Sequence, residues 1–148
     1  MEIRFLASEE TAEALALAWR VFMRFEAPDY SAEGVESFRR TIGDAGFTAR
    51  IRLYGAFEGG TLIGMIATRS EGSHIALFFV EEAYHRQGVG RRLFEAILPD
   101  VPGEAVTVNA SPYAVPVYRR LGFAALNEEQ VTDGIRYTPM LYTRAHNA

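Results

Sequence analysis

The chain has no cysteine, which excludes disulfides, thiolate metal sites and a cysteine nucleophile. Histidine is scarce. His74, His85 and His146 stand far apart, without the paired spacing of a zinc site, so no metal is expected. Long apolar runs are missing too: nothing approaches the roughly 18 consecutive apolar residues of a membrane helix. The start, "MEIRFLASEE", lacks the cationic head and apolar centre of a secretory leader. Basic charge is in deficit, with 15 Lys+Arg against 19 Asp+Glu and a net charge of −4, so no global field attracts nucleic acid. A soluble, cytoplasmic protein is expected, without nucleic-acid or membrane partners.

Core material is plentiful. Hydrophobic residues make up 49% of the 148, enough for one domain over residues 1–148. "EIRFLA" has strand character up to Ser8. Ser8 is expected to cap a helix, "TAEALALAWRVFMRF", with Glu10 and Glu13 in its first turn. "APDY" breaks this helix, and Ser31 with Glu33 opens a second one ending near Gly43. "ARIRLYGAFEGGTLIGMIATR" reads as a hairpin turning at Glu58-Gly59-Gly60, and "HIALFFV" as a third strand buried on both faces. A helix from about Gly88 to Leu98 follows, then a strand "EAVTVNA", a short helix in "PYAVPVYRRLGF" ending at Gly122, and a last strand "GIRYTPMLYT". The order β-α-α-β-β-β-α-β-α-β predicts a mixed α/β sheet.

The stretch "YHRQGVGRRLF" lies between a strand and a helix. A helix start leaves N–H groups unpaired and carries positive potential, and Gly88 and Gly90 would let an anion reach those amides. The P-loop pattern fails here, and so does the dinucleotide fingerprint, because position 93 is Leu93. An isolated G-x-G also suits a tight turn with close helix packing. His85, Arg86, Arg91 and Arg92, with no acid from 85 to 92, favour the anion: a compact positive site in an acidic protein fits a polyphosphate.

With its sequel, this stretch resembles the GNAT superfamily of acyl-CoA-dependent N-acetyltransferases. "FFVEEAYHRQGVGRRLFEAIL" is similar to the family's central [Q/R]-x-x-G-x-[G/A] motif, placed on His85, Gly88 and Gly90, with His85 departing from the first position. "VTVNASPYAVPVYRRLGF" is similar to its later block, a strand, a loop and a helix carrying a tyrosine before L-G-F. The resemblance covers nearly the whole chain. It implies an α/β (α+β) fold: a mixed, mostly antiparallel sheet split between its fourth and fifth strands, flanked by about four helices.

The resemblance further implies that acetyl-CoA lies in that split as co-substrate. Its pantetheine arm would pair with the backbone of Phe78, Phe79 and Val80, and its pyrophosphate would rest on Arg86, Gln87, Gly88, Val89, Gly90 and Arg91. Asn109 and Ser111 match positions that bond the cofactor arm, and Arg119 or Arg120 could reach the 3′-phosphate. Tyr118 would point at the thioester sulfur and act as general acid, with the Val80 amide serving the oxyanion. For the general base, a two-residue side-chain period places His74 on the Val80 face of its strand, and its ordinary pKa suits neutral pH. The alternative for His74 is a solvent contact at a strand end.

The acceptor side would be the junction "FEAPDYSAEG". There Asp29, Glu26 and Tyr30 could hold a cationic amine, although Asp29 suits a turn and Ser31 a helix cap better. Tyr30 is the acceptor-site candidate, while Trp19, Phe22, Phe25 and Phe38 fit a core stripe. The expected activity is acetyl transfer to a primary amine of a small molecule or peptide; a homodimer is compatible with it. The rival is a non-catalytic acyl-CoA sensor, which would need only the loop and the strand edge, not Tyr118, His74 and Asn109.

Overall fold

The computed structural model describes residues 1–144, so His146 lies outside the described residues. The strands are β1 (Glu2–Phe5), β2 (Arg52–Glu58), β3 (Thr61–Arg69), β4 (His74–Val80), β5 (Ala105–Ala110), β6 (Ala124–Ala125), β7 (Gln130–Thr132) and β8 (Ile135–Thr143). The helices are α1 (Thr11–Phe25), α2 (Ala32–Gly43), α3 (Ala45–Arg50), α4 (Val89–Ile97) and α5 (Val115–Leu121). The main path of the sheet runs β1-β2-β3-β4-β5-β8-β6, with β7 on β8; β4 and β5 are parallel and the remaining pairs antiparallel.

The sheet separates two cores. On one face, α4 and α5 cover a cluster built on Ile63, Ile66, Ile75, Leu93, Phe94 and Met140. On the other, α1 and α2 cover Leu53, Met65, Leu77 and Phe79. Helix α1 buries Ala14, Leu17, Ala18, Val21 and Phe22, positions three or four apart that form one stripe. Phe22 stacks on Phe38 of α2 with ring centroids 3.8 Å apart, and Trp19 joins the stack.

Several expectations are corrected. Ser8 caps nothing: it opens a 3-10 turn, and Glu10 instead reaches back to the Ala7 amide while Arg4 holds its carboxylate. Helix α3 is additional, because Asp44 caps it by accepting from the Phe47 amide at 2.8 Å. The short strands β6 and β7 also went unread, since two or three residues carry no period. "HIALFFV" buries residues on both faces, as expected, but not all of them. Ile75, Leu77 and Phe79 are buried, whereas His74, Ala76, Phe78 and Val80 are half-open.

Two irregularities position the site. In the β3–β4 ladder Ala67 pairs with Leu77 but Thr68 pairs with Ile75, so Ala76 is an extra residue. Such a bulge bends the strand and inverts its alternation. Beside it, β4 meets β5 only at His74–Thr107 and Ile75–Val108. Beyond that point the two strands part, while β5 stays paired with β8 along its length. Phe78 and Tyr118 stand in the opening, edge to face with centroids 5.9 Å apart.

Candidate active site

The split opens into a cleft on each side of the sheet. The first, of about 720 Å³, lies between β4, α4 and α5. The second, of about 360 Å³, lies toward α1, α2 and the β7–β8 hairpin. Glu26, Phe78, Phe79, Ala114 and Tyr118 line both. Two ligands entering from opposite faces would therefore meet at these residues.

In the first cleft, the backbone of β4 offers unpaired groups. The Glu81 amide donates to the Ile63 carbonyl at 2.8 Å. Along an antiparallel ladder, alternate residues turn their main-chain groups to the same side. Phe79 therefore bonds toward β3, while Phe78 and Val80 face the opening left by β5. Of the three residues expected to hold a ligand arm through the backbone, Phe79 is corrected: it contributes only its ring. The Val80 carbonyl is also taken, since His85 Nε2 donates to it at 2.6 Å. The Phe78 N–H and C=O and the Val80 N–H remain.

At the mouth, Gly88 stands just before α4 with φ 81°, in the left-handed region where a side chain is strained. A Cβ there would meet nothing within 4 Å, so the position faces open cleft. The first helical bond of α4 runs from the Arg92 amide to the Gly88 carbonyl at 3.1 Å. The amides of Val89, Gly90 and Arg91 thus lack helical acceptors and form an anion cradle. Gly90 lies against the Phe78 ring, which a Cβ would touch at 3.5 Å. Arg86, Arg91 and Arg120 line the cleft, and Arg91 also donates to the Arg120 carbonyl at 3.0 Å, tying α4 to α5. The Gln87 side chain turns back to the Ala83 carbonyl, leaving only its main chain for a ligand.

Tyr118 is buried between Phe78 and Phe123. Its hydroxyl makes no hydrogen bond among the described residues. Burial first, and the Glu26 charge second, push its pKa well above the ordinary tyrosine value, so it stays protonated.

Glu26, just after α1, went unread in this role. Burial pushes its carboxyl up to about 8, Asp29 pushes the same way, and the Ser111 hydroxyl opposes them by hydrogen bonding. The only signal in the sequence was an acid in the α1–α2 junction, which does not distinguish Glu26 from Asp29. Asp29 itself sits in a turn, its carbonyl accepting from Arg136 at 3.2 Å, and Ser31 caps α2. Phe25 packs against the α1-side core, as expected, and also lies between His85 and Tyr113, 5.0 Å from each, on the wall of the first cleft.

His74 is corrected. The Ala76 bulge puts it on the face opposite Val80, paired with Arg69, and on the wall of the second cleft. It is four residues from Phe78, roughly 13 Å along the strand. Burial, then the Arg69 charge, lowers its pKa to about 4. Neither fact favours the proton-accepting role. Asn109 and Ser111 move as well: they share the Thr107 face of β5 and line the second cleft. The Ser111 hydroxyl accepts from the Ala114 amide at 3.2 Å. Tyr30 lines the second cleft.

This geometry has counterparts. A family model described as "Acetyltransferase (GNAT) domain" matches residues 26–144. A GCN5-related N-acetyltransferase from Rhodopseudomonas palustris superposes with a TM-score of 0.80 at 22% identity, covering 96% of this chain and 94% of that one. The PaiA N-acetyltransferase from Thermoplasma acidophilum, solved in complex with coenzyme A, gives 0.73 at 22% identity, covering 96% and 98%. YjaB from Escherichia coli, solved in its apo form, gives 0.73 at 24% identity, covering 97% and 98%. No curated protein sequence matches significantly. On the family match, which runs from the α1–α2 junction to β8, the chain belongs to the GNAT acetyltransferase domain family.

Proposed function

We propose that the protein transfers the acetyl group of acetyl-CoA to a primary amine by direct attack within a ternary complex. The observation that supports this most is the meeting of the two clefts at Glu26 and Tyr118. A pure acyl-CoA binder needs the first cleft alone.

In this reading the amides of Val89, Gly90 and Arg91 hold the pyrophosphate, and the open groups of Phe78 and Val80 hold the pantetheine arm. Arg86 and Arg120 add positive charge at the mouth. The acceptor comes through the second cleft as an ammonium, and Glu26 takes its proton. A carboxyl held near 8 is a far stronger base than an ordinary glutamate. The free amine attacks the thioester carbonyl, and the Val80 N–H receives the developing oxyanion. As the intermediate collapses, Tyr118 protonates the departing thiolate and regains a proton from the newly acylated nitrogen, so the amide leaves neutral and the hydroxyl is restored.

Release of free CoA thiol from acetyl-CoA, followed across a panel of primary amines with the acetylated product identified by mass, tests the proposal. Amine-dependent thiol release supports it. Tight CoA binding with no amine consumed would leave the sensor.

A further inference from the structure

One end of the second cleft takes no part in that chemistry. There Arg69, the last residue of β3, pairs across the ladder with His74, and both line the cleft. Arg69 is exposed, and no carboxylate pairs with it among the described residues. His74 is held through Nδ1 by the Thr107 hydroxyl at 2.8 Å, and the same hydroxyl lies 3.5 Å from the Ser73 carbonyl. Burial and the Arg69 charge keep the imidazole neutral. The wall of this cleft mixes the aromatic rings of Tyr30, Phe38, Phe47 and Tyr137 with polar side chains such as Ser37 and Asn109. The other acid on the wall, Asp133, stands exposed on the β7–β8 turn. The cleft is therefore a dipolar slot, with a carboxyl at one end, a mixed aromatic and polar wall, and an unpaired guanidinium at the other end.

We infer that the acceptor carries a carboxylate at the end opposite its amine, the amine at Glu26 and the carboxylate on Arg69 with His74. The inference rests on the acetyltransferase reading for the amine end. A single guanidinium beside a neutral imidazole balances one negative charge, and its planar fork matches a carboxylate with two parallel hydrogen bonds. A phosphate dianion would be left half-compensated.

The span follows from the strand. His74 to Phe78–Phe79 is four to five residues, roughly 13–16 Å of β4. Side chains reaching in from both ends shorten the slot to on the order of 10 Å, the length of three residues of extended chain. An α-amino acid holds its ammonium and carboxylate on one carbon and cannot reach both ends. A short peptide with a free C-terminus can.

The test compares glycine, triglycine and triglycine C-terminal amide as acceptors by thiol release, with wild type, Arg69→Lys and Arg69→Ala. Calorimetry of triglycine on the CoA-loaded protein gives a readout without turnover. Wild type should prefer triglycine over its amide by about tenfold in kcat/KM, carried by KM, as for a hydrogen bond to a charged group. Glycine should be poor. Arg69→Lys should keep part of the preference, and Arg69→Ala should bring the ratio near one and weaken triglycine binding. Equal use of acid and amide by wild type, or an unchanged ratio in Arg69→Ala, overturns the inference while leaving acetyl transfer standing. Arg69-dependent triglycine binding without turnover of any amine supports the slot and sinks the transferase reading. Absence of both binding and turnover overturns both.

Discussion

Glu26→Gln separates two consequences of one buried carboxyl. Burial, Asp29 and the opposing Ser111 hydroxyl leave Glu26 with a pKa of about 8 against an ordinary 4.5. Between those values the folded protein binds a proton that the unfolded chain releases, so stability falls as pH rises through the window. The limit is the shift times 1.36 kcal/mol, about 5 kcal/mol. Water reaching the carboxyl from the clefts reduces this to about 2–3 kcal/mol. The neutral amide of the variant cannot ionise, so the variant should escape this loss. Urea unfolding at about pH 5 and about pH 8.5 measures it: wild type should lose about 2–3 kcal/mol relative to the variant. The comparison must be a difference, because His74, lowered from 6.5 to about 4, contributes the opposite slope at the acid end. In the same variant kcat/KM should fall by about 10²-fold or more and lose its rising limb near pH 8. Parallel unfolding curves with an unchanged pH–rate profile would refute both the raised pKa and the base role.

Tyr118→Phe should lower kcat by about 10²-fold with little change in acetyl-CoA affinity, since the ring packing on Phe78 and Phe123 remains; stopped-flow kinetics with equilibrium binding decides, and an unchanged kcat would make Tyr118 a packing residue. Gly88→Glu places a carboxylate in open cleft at the amide cradle and strains a φ of 81°, so CoA binding by calorimetry should vanish at a folding cost of about 1–2 kcal/mol; equal affinity would move the pyrophosphate elsewhere. Gly34→Ala puts a Cβ against the Gly134 carbonyl, where α2 carries the β7–β8 turn, and should cost about 2–3 kcal/mol in urea unfolding. Its acceptor KM should rise while CoA affinity holds, because that turn walls only the second cleft.

Much was legible where physical chemistry is local. The apolar stripe of α1, the Ser31 cap, the G-x-G before α4 and the order of the long elements follow from side-chain period, capping and backbone freedom. The glycine loop is legible because a strand end, a turn and a helix start occupy consecutive residues, whereas Tyr118 stands out only through the resemblance of its block to the family's. Tertiary structure decided what depends on register. One extra residue at Ala76 reverses the side on which His74 lies, and no two-residue period can foresee a bulge set by pairing with β3. The parting of β4 from β5 sends Asn109 and Ser111 to the second cleft and frees the groups of Phe78 and Val80. Glu26 and Asp29 look equivalent in the sequence, three residues apart in one junction. Only the fold half-buries the first between two clefts and leaves the second in an exposed turn, and that difference in solvation sets the chemistry each carboxyl can do.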